Sequence, residues 1–200
     1  VTDILPAGNT DWLKEHFGSS FSQEHNLSVS GGSGKTRYYF SAYMLDRDGA
    51  LRHGDDNIQR YSVSGKITTA LASWAELGYQ VRFGRTDYVS PSWIDDQVFY
   101  HNVMRYWRIV PTKDPNGHWV PESFISELKD GGKHKEQNDV LAQQVSLRVK
   151  PLDGLTVNVE LNYRINNSNF HQDWLTTYAY DVDGNPYVTN NANSSVYEYN

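Results

Sequence analysis

The stretch Leu155-Thr-Val-Asn-Val-Glu-Leu-Asn-Tyr-Arg-Ile-Asn166 decides the fold. Its odd positions are Leu155, Val157, Val159, Leu161, Tyr163 and Ile165. Its even positions are Thr156, Asn158, Glu160, Asn162, Arg164 and Asn166. Side chains alternate across a strand, so this spacing predicts a β-strand with one apolar and one polar face. The preceding segment behaves alike: Val145, Leu147 and Val149 alternate with Gln144, Ser146, Arg148 and Lys150. Between the two lies Pro151-Leu-Asp-Gly154, which is turn chemistry. Setting Val149 opposite Leu155, Leu147 beside Val157 and Val145 beside Val159 brings the apolar faces together.

Two further hairpins follow the same rule. Leu27 and Val29 lead into Gly31-Gly-Ser-Gly34, and a turn at Ser33-Gly34 would set Val29 against Tyr38 and Leu27 against Phe40. Tyr61, Val63 and Ile67 face Leu77, Tyr79, Val81 and Phe83 around a turn near Ala72-Ser-Trp74. Six strands are thus expected, over 26–30, 36–46, 59–70, 76–88, 140–150 and 155–167. Near the start, Asn9-Thr-Asp11 is expected to cap a short helix through Trp12–His16. The hairpin turns are short and the links between hairpins are long, the asymmetry of an outer-membrane barrel. A soluble sandwich has shorter strands and closer turns. The expected fold is all-β: an antiparallel segment of a transmembrane β-barrel. Residues 1–20 are a lead-in, 21–88 two hairpins, 89–139 a long loop, 140–167 a hairpin and 168–200 a second loop.

Composition fits this and removes other classes. The chain has 200 residues and no cysteine, which excludes disulfides, thiolate metal sites and thiol nucleophiles. A net charge of -6 argues against nucleic acid as a partner. Mean hydropathy is -0.67, and no apolar run approaches the ~18 residues of a spanning helix. A barrel is untouched by that test, because its strands alternate. Val1 is not a start methionine and Val196-Tyr-Glu-Tyr-Asn200 stops inside a β-prone run, so the chain is expected to be a piece of a longer one.

The segment Asn26-Leu-Ser-Val-Ser-Gly-Gly-Ser-Gly-Lys-Thr-Arg-Tyr-Tyr39 resembles the SusC/RagA family of TonB-dependent outer-membrane transporters. So do Asn9-Thr-Asp-Trp12, Asp46-Arg-Asp-Gly49, and Ile58-Gln-Arg-Tyr61 followed by Gly65-Lys66. The resemblance covers residues 9–88; nothing matches over 89–139, and 140–200 fits as a hairpin plus a loop. It implies a piece of a barrel of about 22 strands in a Gram-negative outer membrane. It also implies import of glycans or peptides, a SusD-like surface lipoprotein as partner, and contact with TonB through parts outside this chain. Thr156, Asn158, Glu160, Asn162 and Arg164 would line the lumen, and the apolar face would meet lipid. The long loops would be extracellular.

The candidate ligand or partner contacts are Trp93, Tyr100, Trp107, Trp119 and Trp174, aromatics in the expected long loops. Loop packing or an aromatic girdle competes with that role, and Trp74, beside a short turn, reads as girdle. Asp181-Val-Asp-Gly-Asn185 opens like a calcium loop, with Asp181, Asp183 and Asn185 as weak candidate ligands. The sixth position is Pro186 and the twelfth Ala192, so a hairpin turn is the better reading. None of His16, His25, His53, His101, His118, His134 and His171 has tight metal-ligand spacing. No nucleophile elbow, phosphate loop or catalytic constellation occurs, so no enzyme activity and no cofactor are expected. A soluble all-β carbohydrate-binding module and a fragment of a β-rich glycoside hydrolase are the competing readings.

Overall fold

The computed structural model describes residues 8–94 and 103–200. Its main body is one antiparallel sheet in the order β1-β2-β3-β4-β5-β6-β9. The first six strands are β1 (Ser22–Ser33), β2 (Thr36–Asp48), β3 (Asn57–Ala72), β4 (Ala75–Pro91), β5 (Lys133–Leu152) and β6 (Leu155–Trp174). A small separate hairpin, β7 (Thr177–Tyr180) with β8 (Pro186–Asn190), precedes β9 (Ser194–Tyr199). The expected hairpins are consecutive neighbours in one sheet, and each strand pairs antiparallel with the next. Their three short turns therefore share one end, and the long connections share the other. The short helix α1 (Trp12–His16) forms as expected, with the Asp11 carboxylate accepting from Lys14 N at 3.3 Å.

Directly paired residues share a face, so the register sorts the sheet into rows. One row reads Leu27, Ala42, Val63, Phe83, Leu141, Ile165 across β1–β6. Two rows nearer the turns lie Gly31, Tyr38, Ile67, Tyr79, Val145 and Leu161. The pairs Leu147–Val159 and Val149–Val157 continue the band. The apolar face thus extends over six strands, interrupted in the row between these two by Gln143, whose Oε1 accepts from the Tyr79 hydroxyl at 3.0 Å, and nothing among the described residues covers it. Leu27 is 74% exposed, Val63 57% and Leu161 69%. The buried apolar residues are instead Trp12, Val103, Val120, Ile125, Leu128 and Ala179 at the loop end, with Ala75 beside a turn. Burying one such valine or leucine stabilises by about 1.5–3 kcal/mol, so covering this face, by lipid or by protein, is favourable.

Above the band, at the loop end, the same face turns polar. Gln23 Nε2 and Gln59 Nε2 both donate to the Asp46 carboxylate at 3.2 Å. Gln137 Nε2 donates to Asp87 Oδ1 at 2.8 Å, and Asn169 Nδ2 to Gln137 Oε1 at 3.3 Å. These residues occupy one row across β1–β6. One row below, Arg85 grips Asp139 through Nε and a terminal nitrogen, both at 2.7 Å.

The hairpin tips step along the sheet. Thr36 pairs with Thr69 while β3 runs on to Ala72, and Ala75 pairs with Val149 while β5 runs on to Leu152. Such stagger is the shear that a tilted, closing sheet needs.

Several expectations are corrected. Val29 pairs with Phe40 and Leu27 with Ala42, so the turn is Gly34-Lys35 rather than Ser33-Gly34. Gly34 takes φ 54°, the left-handed backbone a two-residue hairpin demands. In the last hairpin Val149 pairs with Val157 rather than Leu155, and a register irregularity follows up to Leu152↔Leu155. The tip is Asp153-Gly154, with Gly154 at φ 82°. Both registers move by two residues, which leaves every side chain on its expected face. The strands also outrun their expected ends: β5 begins at Lys133, inside the expected loop 89–139, and β6 ends at Trp174. The expected loop 168–200 instead holds the end of β6, the β7–β8 hairpin and β9, whose residues 194–199 pair with 169–174.

Candidate functional site

Two surfaces carry chemistry: the polar face of the sheet and the cap of loops at its long-loop end. On β6, Thr156, Asn158, Glu160, Asn162 and Arg164 share the polar face. Opposite them on β5 stand Arg148 (Asn158), Ser146 (Glu160), Gln144 (Asn162) and Ala142 (Arg164). The face continues through Glu76, Gln80 and Arg82 on β4, Ser62, Ser64 and Lys66 on β3, and Arg37, Tyr39 and Ser41 on β2. Short polar contacts tie it laterally. Ser41 and Ser64 hydroxyls are 2.8 Å apart, and Arg37 reaches Glu76 at 3.0 Å. Gln144 donates to Glu160 at 3.1 Å, and Arg148 to Asn158 at 3.1 Å. The chain is acidic overall, yet on this face of β1–β6 Arg37, Arg47, Arg60, Lys66, Arg82, Arg148, Lys150 and Arg164 outnumber Glu24, Glu76, Glu136 and Glu160. This face is basic and hydrogen-bonding.

The cap is built where the lead-in meets three loops. His16 is fully buried, with its ring nitrogens 3.0 Å from Trp12 O and 2.8 Å from Ser123 O. Thr10 N donates to Arg108 O, Gly8 N to Ile109 O, and Arg52 N to His16 O. These backbone bonds hold the lead-in against 108–110 and against the β2–β3 loop. Helix α2 (Ile125–Asp130) buries Ile125 and Leu128, and its buried Glu127 accepts from Thr177 Oγ1 of β7 at 3.3 Å. His53, in the β2–β3 loop, lies 3.4 Å from Glu15 Oε1 and packs edge-on to Trp119 at 5.0 Å. Burial lowers the His53 pKa below its usual value despite the attraction of Glu15.

The expected aromatic contacts do not meet at one platform. Trp107 is 73% exposed and its carbonyl accepts from Trp12 Nε1 at 3.2 Å. Beside it Met104 and Ile109 are 78% and 60% exposed, and Tyr106 packs edge-on to Trp12. Trp119 is half-buried between His53 and the Lys113 ammonium, which sits 4.3 Å over its ring. Trp93 is half-buried against Gly131, its Nε1 unpartnered. Trp174 ends β6 opposite Ser194. Tyr100 lies outside the described residues, as do residues 98–102 of the segment 98–110 that offered a helix or hairpin; Arg105–Val110 is neither. Trp74 is 56% exposed at its turn.

Asp181 behaves as a turn residue. Its Oδ1 accepts from Asp183 N at 3.0 Å and Asn185 N at 2.8 Å, which lowers its pKa. Among the described residues no group of His, Asp and Glu is placed to hold a metal. Sequence reasoning missed the polar row Gln23–Asp46–Gln59 and the buried His16. The first is legible only once the register is known, and the second only once α1 is docked on Ser123.

No family model matches the chain, and no curated protein matches it. Among solved structures it resembles a chain described as the RagAB peptide importer in the 'closed-closed' state, with TM-score 0.68 and 19% identity. A second, described as the RagAB peptide transporter, gives TM-score 0.65 and 18% identity. The alignments cover 88% and 86% of this chain and 21% of each of theirs. The chain thus shares the fold of about a fifth of those chains.

Proposed function

We propose that this chain is part of the wall of an outer-membrane β-barrel importer of the SusC/RagA, TonB-dependent kind, and that the intact protein takes up peptides. The observation that carries the reading is the single-layer sheet whose apolar face is bare across its width. The run Leu155–Ile165 spans eleven residues; at about 3.3 Å per residue and about 40° of tilt it rises about 25 Å, the height of a barrel's lipid-facing band. The polar row from Gln23 to Asn169 then falls at the outer boundary. The open edges point the same way. Among the described residues β6 is paired on its far side only over 168–174. A bilayer tolerates unpaired strand edges only when a further strand closes them.

The polar face fits a water-filled lumen, and the likeness to RagAB chains favours peptide over glycan as cargo. The cap of loops would face outward. There Met104, Trp107 and Ile109 offer an apolar patch to a SusD-like lipoprotein, while TonB would act through other parts of the protein. We assign no catalytic step to this chain. A soluble carbohydrate-binding module needs a second layer over the apolar face, and none stands there among the described residues. The test is deletion of residues 95–130 from the whole transporter. Loss of lipoprotein binding and uptake, with the barrel still inserted, is expected; unchanged binding and uptake would refute the assignment of the cap.

A further inference from the structure

Among the described residues, Arg82 and Arg164 of the polar face have no acidic partner. Arg82 on β4 and Arg164 on β6 both stand opposite Ala142 on β5, one on each side. The next row toward the turns sets Lys66 beside Gln80, Gln144 and Asn162. The nearby acids are engaged: Glu76 by Arg37, and Glu160 by Gln144. Arg164 gives only its Nε, to Asn166 Oδ1 at 2.9 Å, which leaves its terminal nitrogens free to donate. Each side of Ala142 thus presents a guanidinium to the same stretch of the face.

The geometry suits a carboxylate. Strands lie about 4.8 Å apart, so Arg82 and Arg164 stand about 10 Å apart at their backbones. The small Ala142 leaves an open recess between them, lined also by Gln80, Gln144 and Asn162. Two planar guanidinium forks can each take a carboxylate in bidentate fashion, and the amides beside them can hold a peptide backbone. Ala142 adjoins Leu141, a member of the apolar row nearest the loop end. The recess therefore lies toward the loop end of the face, the side from which cargo would arrive.

We propose that Arg82 and Arg164 form a binding site for the side-chain carboxylates of acidic peptides. The inference rests on the importer reading and narrows its substrate class. The test uses the whole transporter in lipid vesicles and two acetylated, amidated pentapeptides that differ only in a central Asp or Asn. Wild type is expected to bind the Asp peptide about tenfold more tightly at low salt, which corresponds to one charge-assisted contact. The preference should shrink as salt screens the charges. The double variant Arg82→Gln/Arg164→Gln is expected to lose the preference and bind the Asp and Asn peptides equally tightly. Protease protection in the same vesicles reports insertion. A wild-type barrel that inserts but ignores the charge of the peptide, or a double variant that keeps the preference, overturns this site alone. A wild-type chain that does not insert overturns the importer reading and the site with it.

Discussion

Val157 and Asn158 are neighbours in sequence and lie on opposite faces of β6. If the apolar face meets lipid, Val157→Arg places a guanidinium inside the lipid-facing band between its midplane and its turn-end boundary, unfavourable by an amount between the about 2–4 kcal/mol of the midplane and the about 0–1 kcal/mol of the interface, whereas Asn158→Arg adds a charge to a wet surface. Folding yields of the two variants in vesicles should differ accordingly; equal yields would refute the facing. At His53 the sign follows from burial. Its folded pKa is lowered, so its contact stabilises above the ordinary histidine pKa of about 6.5 and is lost as pH falls through the folded value. The protection of amides around Gly54, corrected for the intrinsic pH dependence of exchange, should therefore fall as the pH drops below about 6.5. His53→Gln should abolish that pH dependence; a variant that keeps it would show that another group titrates.

At the scale of elements, turns set the registers and loop packing sets the cap. Gly154 at φ 82° cannot be replaced cheaply, since left-handed backbone is unfavourable by about 1–2 kcal/mol for residues with a Cβ. Gly154→Val should lower the stability of the β5–β6 hairpin by about that amount, read as faster exchange of its tip amides. Ile125→Ala empties a fully buried position of α2 and should loosen the cap by about 2–5 kcal/mol while leaving the sheet amides protected. The alternation of 155–166 and 145–150 displayed the strands and their faces without ambiguity, because period 2 survives any even slip in register. The slips themselves were invisible: each turn offered more than one pair of candidate tip residues, and only the backbone at Gly34 and Gly154 chooses. Strand ends were hidden for another reason. Lys133–Asp139 and Ser168–Trp174 leave the apolar band: the apolar face turns polar while Phe170 and Trp174 fall on the other face, so the alternation no longer marks the strand although pairing continues. Among candidate site residues, the polar set on β6 followed from the period alone. The Arg82–Ala142–Arg164 row did not, because it joins positions far apart in sequence.

At the scale of the whole molecule, the chain combines a bare apolar face, a basic polar face, staggered hairpin tips and one cap of loops. Each has a partner in an outer-membrane barrel: lipid, a wet lumen, the next strands, and the exterior. The central claim is that the apolar face touches lipid and the other water. Because the chain contains no cysteine, single cysteines report this site by site once any elsewhere in the whole transporter are removed. Place them at Val63, Val145 and Val157, and at Ser64, Ser146 and Asn158, in the transporter reconstituted in vesicles, and attach an environment-sensitive fluorophore. Brominated lipid should quench the first set and not the second, and an aqueous quencher should do the reverse. Equal quenching of the two sets, or aqueous quenching of the Val63, Val145 and Val157 labels, would contradict the account.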